Sequence, residues 1–426
     1  MNPLKEILLQ RKESTIKGVY SACTSNDMVL KACIIKAKKT NTPLVIEATA
    51  NQVDQYGGYT GMKPIDFKNM VKNLCEEIGY DFNQVILGGD HLGPLTFVKY
   101  DEEKAMDEAK ELIKQYVLAG FTKIHIDTSM KISSDDQHTP LSVETVAKRA
   151  AILMEVANKA FEKRQKENDQ AIKPCFIVGS EVPIPGGEQE EVETLEVTKV
   201  DEFNKQVSIF KNTLPAQNWE DVVGIVVQPG VEFGDNQVFH YDSSKAQALK
   251  QAKQAYPSLV FEGHSTDYQT KEGLRQMVDD DIAILKVGPG LTFGYRQTLF
   301  ALAQIEEEMQ LEDPSNLRSV MEKVMVDDPK YWQKYYNGGE KEKQLKRAYS
   351  YSDRIRYYLP YKEVEQAIEK LRKNINNNKI LLPVLYQWLP KQYQKVIRNE
   401  IKLSFEDLVY DGIGDFIDDY IYAIKR

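Results

Sequence analysis

Cysteine, histidine and long apolar runs are all scarce in this chain. Its four cysteines, Cys23, Cys33, Cys75 and Cys175, show no CxxC spacing. That argues against a disulfide framework and against a thiolate zinc site; they read as small buried hydrophobes, with a single reactive thiol as the alternative. No apolar run reaches the ~20 residues of a membrane-spanning helix, and the start MNPLKEILLQRKES lacks the apolar core of a secretory signal. The expectation is a cytoplasmic protein with no membrane contact. Positive charge is also in deficit: 55 Lys and Arg against 64 Asp and Glu give a formal charge of −9, so no global basic surface is offered to nucleic acid. No GxGxxG follows the first predicted strand and no GxxxxGK[ST] occurs, which removes the main signals of dinucleotide and P-loop nucleotide binding.

What is present is a regular alternation. The 426 residues are 42% hydrophobic and 28% charged, enough to bury a large core. Eight short apolar or β-branched runs fall at 17–24, 43–49, 84–91, 123–129, 175–183, 222–230, 259–267 and 282–290. Helical periodicity fills the gaps. MKPIDFKNMVKNLCEEIG has Pro64 near its start and Gly79 at its end, EEKAMDEAKELIKQYVLAG ends at Gly120, and Ser142 is placed to cap the segment after it. Near-continuous hydrophobicity in the strands points to a parallel sheet, and eight strand–helix units predict a (β/α)8 TIM barrel over 1–312. From residue 313 to 426 the chain is charged, tyrosine-rich and poor in β runs. This part is expected to be an α-helical C-terminal extension packed on the barrel.

Polar groups stand where most of the predicted strands end: Glu47, Asp90 with His91, Asp127, Glu181, Gln228, His264 and Lys286. TIM barrels keep their chemistry at that end of the strands. Of five histidines, His91 and His264 reach it. Imidazoles with a carboxylate suit a divalent ion, zinc above all, with a position left open for substrate oxygens. His91, His264 and Glu181 are the candidate ligands, with Asp127 or Glu262 able to replace Glu181. The alternative is that these acids only neutralise Lys286 or Arg296.

Asp90, beside His91, is a candidate base for a substrate hydroxyl, or a cap for the following loop; Glu47, Asp127 and Lys286 are the other candidate catalytic groups. In an ideal strand Asp90 and His91 would face opposite sides, and Gly88-Gly89 make departure from that geometry easy. Gly288 and Gly290 precede a helix after the eighth strand, where barrels often seat a phosphate, although such a pair can be a simple turn. Ser265, Gln228 and Arg354 complete the candidate substrate contacts. Arg354 and Arg356 lie among tyrosines in SYSDRIRYYLP, suited to packing or to a sugar phosphate. NQVDQYGGYTGM and EVPIPGGE have the length and composition of loops that fold over a ligand.

Several long motifs in fixed order carry a resemblance: IEATANQVDQYGGYTGM, ILGGDHLGP, GFTKIHIDTSM, GSEVPIPGGE, VVQPGVEF, EGHSTDYQT, AILKVGP, ALAQIE, YSDRIRYYLP and WLPKQY. Together they resemble the Z-type subunit of D-tagatose-1,6-bisphosphate aldolase, the GatZ/KbaZ family, over essentially the whole chain. The resemblance implies a TIM-barrel protein of galactitol, N-acetylgalactosamine and tagatose catabolism. It would support the activity and stability of a separate zinc-dependent class II, Y-type aldolase subunit. It also implies kinship with ketose 4-epimerases that convert fructose 6-phosphate to tagatose 6-phosphate. In zinc aldolases an Asp-His pair at a strand end supplies base and ligand, and GGDHLGP is similar to that arrangement. A sugar phosphate, a Y-type partner and a homo-oligomer are the expected associations. An older label for the family, tagatose-6-phosphate kinase, finds no nucleotide-phosphate motif here.

Overall fold

The computed structural model describes residues 1–179 and 195–426. Eight strands pair in parallel and close into a barrel in chain order. They are β1 (Val19–Cys23), β2 (Leu44–Thr49), β3 (Val85–Leu92), β4 (Lys123–Ile126), β5 (Cys175–Val178), β6 (Val222–Val227), β7 (Val260–Gly263) and β8 (Ile284–Val287). Each lies within its predicted run except β3, which extends one residue beyond it to Leu92. A helix follows each strand: α1 (Asp27–Thr40), α2 (Pro64–Ile78), α3 (Glu102–Ala119), α4 (Val143–Glu167), α5 (Val200–Thr213), α6 (Ser243–Lys253), α7 (Lys271–Asp279) and α8 (Pro289–Glu308). The expected punctuation is in place. Gly79 and Gly120 end α2 and α3 at φ 67° and 105°, where glycine has no Cβ penalty, and the Ser142 side chain accepts from Thr145 N–H to cap α4.

The barrel interior is layered. At the N-terminal end, Val19, Val45, Ile86, Ile177, Val260 and Ile284 pack with Leu4 and Leu8 of helix Pro3–Gln10, which plugs the bottom. Above them the interior turns polar, because strand side chains alternate between the two faces. Lys123, His125 and Asp127 face one way, while Ile124 and Ile126 join the larger apolar cluster. Gly88 stands between Glu47 of β2 and Lys123 of β4 in the ladder. A Cβ there would lie 2.6 Å from Glu47 Cγ, so glycine leaves room for the two charged chains to meet.

The residues after α8 are helical, as expected. Helix Phe405–Ile424 buries Leu408, Ile413, Ile417 and Tyr420, and is tied to the barrel through Lys17 N–H donating to Ile424 O at 2.7 Å. The Tyr420 hydroxyl donates to Thr266 O at 2.9 Å, just after β7.

Candidate active site

The C-terminal mouth of the barrel opens into a cavity of about 920 Å³, part of it open to solvent. Asp90, His91, His264, Ser265, Lys286 and Gly288 line it together with Cys23, Asp267, Arg356 and Tyr357. Asp90 and His91 both reach the cavity because β3 abandons regular geometry. His91 has φ 51°, and the register against β4 shifts between Gly89 and Leu92. The glycines were expected to carry the irregularity; the strained residue is His91 itself. Ser265, after β7, sits at φ 53°. Non-glycine residues in this region are costly and concentrate at functional sites.

Three imidazoles form a triangle, with ring centroids 5.1 Å apart for His91–His125 and His91–His264 and 5.2 Å for His125–His264. Asp90, His125, Glu262 and His264 bring donor atoms within 4.8 Å of one another. His91 Nδ1 meets Asp127 Oδ2 at 2.9 Å, and Asp127 also accepts from the Ser129 N–H and hydroxyl. That fixes the ring and leaves Nε2 to the site, as a carboxylate does for a metal-ligating histidine. His264 Nε2 meets Glu262 Oε1 at 2.9 Å, and His125 Nδ1 meets Asp90 Oδ1 at 2.8 Å. His125 Nε2 is buried with no hydrogen-bonding partner among the described residues, an orphan that a cation would satisfy. This imidazole and carboxylate set is compatible with a divalent metal.

Beneath the triangle lies a fully buried ion-pair network. Lys123 Nζ pairs with Glu47 and, at 2.7 Å, with Glu262 Oε2; Lys286 Nζ pairs with Glu47 and, at 2.9 Å, with Asp90 Oδ2. Burial opposes the charge on Asp90, but His91, His125 and His264 outweigh it and hold the carboxyl well below the usual range. Burial likewise works against a charged His91, and Asp90 and Asp127 override it, raising the imidazole to about 9. Burial lowers His264 and brings Lys286 down to about 8. It pushes the Cys23 thiol up to about 12, so this cysteine stays protonated and donates to Asp90 Oδ2 at 3.4 Å. All four cysteines are free.

Other expected residues are placed differently. Glu181 lies outside the described residues, as does the EVPIPGGE loop. Glu47 and Asp127 are buried behind the wall and act on neighbours rather than in the cavity. Gln228 folds its side chain onto the Gly230 and Val231 N–H groups, shaping a turn away from the cavity. The Gly288 and Gly290 N–H groups both donate to Asp267 Oδ1, at 3.0 and 2.6 Å, so an internal carboxylate holds the proposed phosphate donors. Arg354 stacks on Tyr335 with its guanidinium 3.2 Å from the ring centroid, away from the cavity, and Arg356 lines the cavity instead. His125, Lys123 and Asp267 were not singled out in the sequence. The spacing by two in KIHID and EGH was the available signal.

A closed eight-stranded parallel barrel ringed by helices places the chain in the TIM-barrel class, whose enzymes keep their chemistry at the C-terminal mouth where these imidazoles and carboxylates gather. The chain is a member of the D-tagatose-1,6-bisphosphate aldolase subunit GatZ/KbaZ-like family, whose model matches residues 4–425, and its function is accordingly related to that of tagatose-bisphosphate aldolase. The crystal structure of a probable tagatose 6 phosphate kinase from Sinorhizobium meliloti 1021 is 37% identical, covers 95% of this chain and 100% of its own, and superposes with a TM-score of 0.86. The YdjI aldolase from Escherichia coli K12 is 12% identical over 86% of this chain and 94% of its own, with a TM-score of 0.43. The fructose-bisphosphate aldolase from Campylobacter jejuni is 13% identical over 91% and 94%, with a TM-score of 0.45. Likeness of that last degree says nothing about the site. Among the described residues no helix is long and apolar enough to cross a membrane.

Proposed function

We propose that the chain is a divalent-metal-dependent ketose-phosphate 4-epimerase, converting fructose 6-phosphate and tagatose 6-phosphate by retro-aldol and aldol steps. The supporting observation is the buried donor set of Asp90, His125, Glu262 and His264, of which Asp90 and His264 line the cavity, with its orphaned His125 Nε2. Of that set His125, His264 and Glu262 would hold the ion, with His91 beside them offering Nε2 and Asp90 kept for proton transfer, and zinc fits these donors. When bound, such an ion polarises the C2 carbonyl and stabilises the negative charge that collects there.

The protein's own groups do the rest. In a 2-ketose, C4 is not adjacent to the carbonyl, so its hydrogen is not acidic. Asp90, ionised at neutral pH, takes the proton from the C4 hydroxyl. The C4–O bond becomes a carbonyl, and the C3–C4 electron pair moves toward the C2 oxygen. The freed aldehyde turns about C4–C5 and presents its other face, and C3 attacks to re-form the bond with C4 inverted. Lys286, 2.9 Å from Asp90 and lowered toward neutrality, is placed to give its ammonium proton to the new C4 oxygen and to take back the proton that Asp90 holds, which restores both groups.

The test is incubation of the metal-loaded protein alone with fructose 6-phosphate in deuterium oxide. Tagatose 6-phosphate should form with no deuterium at C4, because that C–H bond never breaks. Deuterium at C4, or no turnover, would overturn the proposal. The second reading, favoured by the family match across residues 4–425, is a Z-type subunit that supports a Y-type class II aldolase. An idle protein that raises the activity or half-life of such an aldolase would establish it.

A further inference from the structure

The cavity has a wall that the barrel does not supply. Arg356 lies in the 3-10 turn Ile355–Tyr357, within the extension, yet it lines the same cavity as Asp90 and His264. Its guanidinium stacks 4.8 Å from the Tyr357 ring centroid and donates to the Tyr357 hydroxyl at 3.1 Å. Among the described residues no carboxylate stands within ion-pairing distance of it; Asp353, its near neighbour in sequence, is taken by Arg296 at 3.1 Å. Tyr59, from the loop after β2, meets Tyr357 edge-on at 5.1 Å and closes the same corner. A half-buried guanidinium that lines a cavity, with no carboxylate among the described residues in ion-pair contact, is open to an anion, and its planar fork suits a phosphate.

The alternative seat is taken. Asp267, 2% exposed, accepts both N–H groups that open α8. A phosphate there would have to displace a carboxylate and would meet its charge.

We infer that the phosphate of the substrate is held by Arg356, so that the C-terminal extension determines the preference for phosphorylated over free ketoses. The inference rests on the sugar-phosphate part of the proposed function and on none of its bond-making steps. It makes the extension part of the binding site, with the reacting carbons toward the imidazoles and the phosphate toward the tyrosine corner.

Calorimetric titration of the full chain, metal-free and metal-loaded, with inorganic phosphate, fructose 6-phosphate and fructose tests it. The wild type should bind fructose 6-phosphate more tightly than fructose. Arg356→Met should weaken fructose 6-phosphate roughly 10- to 100-fold, the worth of charge-assisted hydrogen bonds, and abolish phosphate binding, with metal content and fructose affinity unchanged. Arg356→Lys, which keeps the charge and loses the fork, should fall between them, and it decides the matter if the methionine variant does not fold. Equal affinity for fructose and fructose 6-phosphate in the wild type, or unaltered fructose 6-phosphate binding in both variants, would overturn the inference. Phosphate binding through Arg356 without turnover would leave the inference standing and remove the epimerase. Turnover with an unchanged KM in both variants would do the reverse.

Discussion

Lys123 Nζ lies 2.7 Å from Glu262 Oε2, and neither side chain has any exposure. Glu262 in turn holds His264, so a cation in the barrel interior positions an imidazole at its mouth. Removing one member of a buried ion pair leaves the other charge uncompensated, at about 3–5 kcal/mol. Lys123→Met should therefore lower the unfolding free energy by that margin, read from urea denaturation as a lower midpoint at unchanged slope, and adding Glu262→Gln should recover part of it. An unchanged midpoint in the single variant would show that the pair contributes no net stability.

His125 should prove a ligand although the strand ends directed attention elsewhere. Its Nε2 has no partner among the described residues, and replacing one ligand removes a bond that the remaining donors cannot restore. Elemental analysis after dialysis should show His125→Ala depleted as severely as His91→Ala or His264→Ala. His138 and His240, both exposed, serve as controls whose alanine variants should keep full metal.

Protonation of His91 gives the metal-free protein a distinct pH dependence. Its pKa of about 9 exceeds the ordinary 6.5. The stability it confers is therefore complete below about pH 6.5 and is lost as pH rises through about 9, on the order of 3 kcal/mol in all. Denaturation of the metal-free protein from pH 6 to 10 should show the decline, and His91→Gln should flatten it. Ligation needs the neutral ring, so metal uptake should strengthen with pH and release protons, as calorimetry in buffers of different ionisation heat would register. Uptake without proton release would contradict the assignment.

Asp90→Asn separates proton transfer from metal binding. The amide keeps the shape of the side chain and cannot act as a base at neutral pH. Turnover of fructose 6-phosphate should fall by about 10²- to 10⁴-fold with metal content intact. Metal loss in proportion to activity would make Asp90 a ligand instead.

The barrel was legible because each strand and helix carries its own pattern: apolar runs for β1 to β8, and local punctuation such as Pro64, Gly79 and Ser142. Asp90, His91 and His264 were legible as rim groups because they stand at the C-terminal ends of those runs. The network below was not. Glu47, Lys123 and Glu262 are joined by ion pairs across the barrel, and no local pattern reports a contact between residues so far apart in sequence. Arg354 and Arg356 look alike in SYSDRIRYYLP; only the turn at Ile355–Tyr357 decides which one meets the cavity. Gly288 and Gly290 do stand at a helix start, but their N–H groups are not exposed, because their acceptor, Asp267, arrives from the preceding strand–helix unit.

The bond from the Tyr420 hydroxyl to Thr266 O has a consequence for biosynthesis. Thr266 sits between Ser265 and Asp267, and its hydroxyl donates to Lys286 O at 2.6 Å. Chains emerge from the ribosome N-terminus first, so all eight strands are available before the helix that braces this turn. The nascent barrel can close early, but its mouth acquires its final support only when residues 405–424 have cleared the exit tunnel.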